Sequence, residues 1–304
     1  MSIKEFMEKV HEMLEQKNNG EYVFSTNEIT KANDVVYHAL TVGKKGDNIG
    51  KNIYLESYYE KYELGCELEE IIKEISNELD DNRDFIESTE TQKLLKGLAN
   101  YEETKHKIVF KLVNKERNSS FLQDKLYKEF LDLAVVYQIA LNHPDEGLAV
   151  CYVHPTFLKH WNVTEEELFV QAFKNIQKML PATVKTLEEL IASIMEDYDD
   201  ECGEKPTPFY VLSNEYSVNG AATMLYRDVL KAFAEKHDVK KVLIIPSSVE
   251  EVLLIPLNEY EKGSVKEYKR ILLEVNEMVE KHVWLSDNIY IFDSEKEEIR
   301  IWTE

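Results

Sequence analysis

Residues 209–257 constrain this chain more tightly than any other stretch. Phe209-Tyr210-Val211-Leu212 reads as a short buried strand, and Lys241-Val242-Leu243-Ile244-Ile245 as a second. Between them Asn219-Gly220 opens a helix whose Ala222, Leu225, Val229 and Phe233 share one face. A strand, a helix of this length and a second strand read as a parallel crossover unit, and such units are right-handed in about 98% of cases. The segments near 210 and 243 are therefore expected side by side and pointing the same way. Val252 to Ile255 is expected to return antiparallel. A helix through Tyr268, Leu272, Val275 and Val279 follows, and a hairpin of Ile289–Phe292 with Ile299–Trp302 closes the chain.

Upstream, apolar periods of 3.6 and 2 alternate without a repeat. Ser2 and Glu5 form a capping box ahead of a helix carrying Ile3, Phe6, Val10, Met13 and Leu14. Three strand-like runs follow, around Tyr22-Val23-Phe24, Val35 to Leu40 and Ile53-Tyr54-Leu55, which predict an antiparallel meander. Leu68, Ile71, Ile72, Ile75 and Leu79 return to helical spacing, with Asp80, Asp81 and Asp84 expected to stop that helix. Ile108 to Val113, Phe130 to Ile139 and Gly147 to Val153 read as strands. Thr164 with Glu167 caps a helix bearing Leu168, Ala172, Ile176 and Leu180, and Leu187 to Met195 continues as helix. The expected class is α+β: mixed sheets with packed helices and one strand–helix–strand crossover unit near the carboxyl end. Two domains are expected, 1–120 and 121–304, the second interrupted by an acidic loop at 196–206.

Composition narrows the partners. The 36 basic and 58 acidic residues leave a net charge of −22. A surface so negative repels phosphate backbones and anionic membrane faces, so nucleic-acid and membrane binding are not expected. Cys66, Cys151 and Cys202 are too scattered for a C-x-x-C pair or a disulfide framework. With no signal-peptide pattern at the amino terminus and no apolar run near 18 residues, a cytoplasmic location is expected.

The catalytic vocabulary is sparse. No phosphate-binding loop, nucleophile elbow or zinc-protease helix occurs. Gly43, Gly46 and Gly50 have turn spacing, not that of a dinucleotide fingerprint. The acids from Asp197 to Glu204 lack the register of a calcium loop and read as a solvated run. His154 and His160 stand six residues apart, a poor spacing for shared ligation, and Cys151 and His154 fall on opposite faces of a strand. No metal and no cofactor is expected.

One place has geometry in its favour. A parallel crossover would bring the loop 213–219 beside the loop 247–250, at the strand ends where open α/β sheets generally place ligands. Asn214, Asn219, Gly220, Ser247 and Ser248 are the candidate ligand-binding residues there: small side chains, short polar groups and open backbone N–H donors suited to a small anion. The same residues would also serve as helix caps and turn formers. Tyr58 and Tyr62, on one helical face, are candidates for an interface.

Several segments together resemble one known family. They are Ile53-Tyr54-Leu55 with Tyr58-Tyr59, Lys111-Leu112-Val113-Asn114, Glu129 to Ala134, Trp161 to Leu168, Tyr210 to Asn214, Asn219 to Ala222, Ile245 to Ser248 and Leu285-Ser286-Asp287. From about residue 30 onward the chain resembles the clostridial group catalogued as domain of unknown function 5688. The resemblance implies a bacterial cytoplasmic origin and brings no activity, cofactor or site residue. Gly50-Lys51-Asn52 departs from the Ser-Pro-Thr that often stands at that place in the group.

The leading expectation is a non-catalytic interaction or regulatory protein with a protein partner. The alternative is an enzyme for a small anionic substrate at the Asn219/Ser247 edge. A minor alternative is an acidic DNA-mimic inhibitor.

Overall fold

The structure, a computed structural model, describes residues 1–17, 20, 22–45, 50–87, 97–146, 148–194, 209–257, 264–278 and 281–303. The acidic loop at 196–206, Cys202, Gly46 and Val279 lie outside the described residues. The chain divides into two compact units, Met1–Leu98 and Ala99–Glu304. The boundary expected near residue 120 would have cut off the strand Ile108–Asn114. That strand pairs along its whole length with Leu133–Ile139 and stands in the second unit.

The first unit begins with the Ile3–Lys17 helix. Its capping box forms as expected: the Ser2 N–H donates to Glu5 Oε2 at 2.7 Å, and the Glu5 N–H donates to Ser2 Oγ at 3.3 Å. The meander follows as β1 (Tyr22–Thr30), β2 (Val36–Lys44) and β3 (Gly50–Tyr54), all antiparallel in the order β1-β2-β3. Helices Glu56–Glu63 and Leu68–Glu87 complete the unit. The second of these runs straight through Asp80, Asp81 and Asp84, which were expected to end it. An Asp inside a helix costs only a few tenths of a kcal/mol, too little to stop one that is anchored by Ile71, Ile72 and Ile75 in the core. Phe6, Val10, Leu40, Ile53 and Leu55 fill the rest of that core.

The second unit contains two antiparallel sheets. In the smaller, β4 (Ile108–Asn114), β6 (Leu133–Ala140) and β5 (Tyr127–Phe130) are ordered β4-β6-β5, with β7 (Val150–Tyr152) also on β6. Phe130 to Ile139 is thus a strand from Leu133 onward, with Phe130 ending the preceding strand: Leu131 adopts φ 55 and reverses the chain between them. The helix Glu165–Met179, with the expected Thr164–Glu167 capping box, lies against β4. The larger sheet has the order β13-β12-β10-β11-β9-β8, comprising β8 (Ala182–Thr186), β9 (Tyr210–Asn214), β10 (Lys241–Ile245), β11 (Val252–Leu257), β12 (Tyr290–Asp293) and β13 (Glu298–Ile301).

This order corrects the crossover. β9 and β10 point the same way, but β11 lies between them and pairs antiparallel with both. The expected return of Val252 to Ile255 was right; its strand entered the gap instead of an outer position. The intervening helix is also broken. Gly220–Leu225 is a tight 3-10 segment, and Arg227–Lys236 is a separate α-helix that begins after Tyr226, at φ −80 and ψ 85. Asn219, at φ 51, is left-handed and caps nothing with its side chain.

Candidate binding cavity

The loops expected to form an anion site do meet, although the strands that carry them are not adjacent. Ser213 Oγ donates to the Glu250 carbonyl at 2.7 Å, and the Ala221 N–H donates to the Val249 carbonyl at 3.2 Å. The Asn214, Ser247 and Ser248 side chains and the Asn219 N–H are used within the corner. Asn214 Oδ1 accepts from the Tyr216 and Val218 N–H groups while its amide donates to the Val218 carbonyl, 2.8 Å away. Ser247 Oγ donates to the Glu251 carbonyl, and Ser248 Oγ accepts from the Glu250 N–H. The Asn219 N–H donates to the Glu250 carboxylate.

That carboxylate was absent from the sequence reading and changes the site's sign. Burial raises the Glu250 pKa, opposed by the Asn219 N–H and the charge of Lys111; burial likewise raises Glu251. Gly220 leaves no room, because a Cβ there would stand 2.1 Å from both the Glu250 carbonyl oxygen and Ser213 Oγ. The corner is a packed, internally bonded structure with acid at its centre. Tyr58 and Tyr62 also face inward: Tyr58 Oη donates to Glu78 at 2.7 Å, Tyr62 lies 5.6 Å from the Phe6 ring, and both pack on the first unit's core. Cys151 is held as a thiol, with burial lifting its pKa to about 11.

A second polar cluster ties the β5–β6 turn to the loop before β12. Asp132 accepts from Tyr290 Oη at 2.7 Å, Ser286 Oγ at 2.6 Å and the Asn288 amide at 3.0 Å. Ser286 and Tyr290 are fully buried, and burial followed by the Asp132 charge raises the Tyr290 pKa. Beside it the Arg117 guanidinium stacks 3.3 Å over the Trp284 ring. This bonding is internal and serves as a joint.

Among the described residues of the second unit lies an open cavity of about 650 Å³. Phe130 and Val135 of the small sheet, Phe169 and Phe173 of the Glu165–Met179 helix, Leu225 and Ile299 make its walls apolar. Phe169 and Phe173 stack on the buried Phe110 at 5.9 and 6.3 Å, which fixes their rings. Charge is confined to the rim: Lys128 pairs with Glu166 at 2.6 Å, while Lys174, Arg227, Asp228 and Glu298 also line the cavity. Val170, 45% exposed, stands at the mouth. The lining includes no Ser, Thr, Cys or His. Its volume and its apolar walls with a few polar groups match small-ligand pockets generally.

Sequence reasoning missed this cavity, although a signal existed. Leu168, Ala172 and Ile176 face the core. Phe169, Val170 and Phe173 add a second apolar stripe, wider than one packing face requires.

Fold and cavity together define an α+β protein of two compact units with an apolar, charge-rimmed cavity in the second. Within that class, the model of DUF5688, a family of unknown function, matches residues 3–294, and the chain belongs to this family. No curated protein and no solved structure is significantly similar to it. Among the described residues, no helix is long and apolar enough to cross a membrane.

Proposed function

We propose that this is a non-catalytic binding protein of regulatory type from the bacterial cytoplasm, and that its second unit captures an amphipathic ligand or the apolar group of a protein partner. The observation that carries this reading is the cavity: rigid aromatic walls, charges of both signs at the rim, and a lining free of hydroxyl, thiol and imidazole groups. Such a site can desolvate and orient a target, and it contains none of the usual nucleophile–base pairs. The enzyme reading loses its support where the Asn219/Ser247 edge is closed by its own hydrogen bonds and by the Glu250 carboxylate.

Thermal-shift screening with a library of amphipathic small molecules and apolar peptides tests the proposal. A ligand at about a hundred times its Kd stabilises the native state by about 2.7 kcal/mol, which raises Tm of a unit this size by about 5–10 °C. Val170→Trp, which fills the mouth, is expected to abolish the shift while leaving the unliganded Tm nearly unchanged. A hit that binds Val170→Trp as well as the original protein would place the binding elsewhere and overturn the reading.

A further inference from the structure

The sheet edge at β13 carries a second surface, adjoining the cavity that Glu298 and Ile299 line. β13 is the last strand of the six-stranded sheet and pairs only with β12. The Trp302 N–H donates to the Ile289 carbonyl at 2.8 Å, so residue 302 turns its backbone groups toward β12. Backbone groups alternate sides along a strand, so those of Arg300 and Glu298 also point to β12, and those of Ile299 and Ile301 point outward. Among the described residues, these outward groups meet no other backbone group. An open edge of this kind is a template for another strand.

The side chains specify which strand. Glu298 and Arg300 are exposed and share one face of β13, while Ile299 and Ile301 share the other. Glu298 lies directly opposite Asp293, a repulsive cross-strand pair, and Arg300 lies opposite the apolar Ile291. The ion pairs of this hairpin, Lys231–Glu297 and Lys240–Glu295, leave Glu298 and Arg300 out.

We propose that the β13 edge pairs with the β13 edge of a second copy of this chain, antiparallel about a twofold axis through Ile299. In that register Ile299 and the partner's Ile299 exchange both backbone hydrogen bonds. Glu298 then faces the partner's Arg300, and Arg300 faces the partner's Glu298, so each unpaired charge gains a counter-charge. The surface is self-complementary, as a twofold contact requires. The outward backbone groups lie in the plane of the sheet, whereas the Glu298 and Ile299 side chains line the cavity, so the pairing edge adjoins the cavity and shares Glu298 with its rim. A four-residue edge makes a small contact, and the pair is weak and concentration-dependent.

Sedimentation of the full-length chain over a concentration series tests this. Reversible dimerisation is expected. Glu298→Arg alone and Arg300→Glu alone each turn two attractive pairs into repulsive ones and are expected to weaken it by about tenfold or more. Mixed in equal amounts, the two variants regain both attractions and are expected to form a one-to-one heterodimer. Both residues are exposed, and unchanged circular dichroism with a Tm no lower than that of the original protein would show the variants folded. A second measurement is the amide exchange of Ile299, which is expected to slow as concentration rises. A chain that stays monomeric throughout, association indifferent to both reversals, or a mixture that does not recover would each overturn the proposal.

Discussion

Gly220→Ala tests whether the corner between β9 and β11 is a closed structural joint. At most helical positions this change is neutral or favourable by about 0.5–1 kcal/mol, because alanine loses less conformational freedom. Here the new Cβ would lie 2.1 Å from a backbone carbonyl oxygen and from Ser213 Oγ, well inside van der Waals contact. Relief requires the Glu250 backbone to retreat, which breaks the 2.7 Å bond from Ser213 Oγ. Overpacking costs about 1–3 kcal/mol and the lost hydrogen bond about 1 kcal/mol, set against the alanine gain of about 0.5–1 kcal/mol, for a net loss of about 1–3.5 kcal/mol. In a unit of this size that lowers Tm by about 2–14 °C. Urea unfolding followed by tryptophan fluorescence isolates the event, since Trp161, Trp284 and Trp302 all belong to the second unit. Adding Ser213→Ala removes one of the two clashing atoms, so the double variant should lose less than the sum of the single losses. A Gly220→Ala protein within about 0.5 kcal/mol of the original would refute the packing argument.

Two further outcomes follow from buried polar groups. Asp132→Ala strands the buried Tyr290 and Ser286 hydroxyls and is expected to cost about 3–5 kcal/mol in urea unfolding, with Asp132→Asn costing less; a loss under about 1 kcal/mol would mean the cluster is not a joint. Glu250 is raised above its unfolded value, so its ionisation destabilises the native state above that raised pKa, and the penalty fades as pH falls through it toward the ordinary glutamate range. Glu250→Gln is therefore expected to unfold later than the original protein at pH 7–8, by a margin that shrinks as pH falls, and a margin that grows on acidification would contradict the assignment.

Local signals read well where one neighbour decides the outcome. Both capping boxes, the amino-terminal meander and the closing hairpin depend on contacts a few residues away, and all formed as expected. Those depending on order across a sheet did not all read well. Nothing in the alternation of Val252 to Leu257 says on which side of β10 it will pair, and its insertion beside β9 turned an adjacent parallel pair into a separated one. The strand Ala182–Thr186 was hidden for a related reason. It is an edge strand whose Val184 is exposed and Lys185 polar, so it carries little apolar period.

The candidate corner carries a different ambiguity. Short polar residues and glycine at a loop junction attract ligands because their donors are free, and they build turns because those donors reach nearby carbonyls. The residue types are the same in both cases; the difference lies in whether the donors are already taken. Here Asn214, Ser247 and Ser248 close on their own loops, and the Asn219 N–H is held by the carboxylate of Glu250. The half-buried Glu250 carboxylate bonded to that donor opposes a second negative charge there. The cavity works in the opposite sense. Its walls are residues that a sequence assigns to the core, and the rings of Phe169 and Phe173 that line it are stacked against Phe110. In this chain the polar corner is architecture, and the surplus of aromatic surface is where binding chemistry remains available.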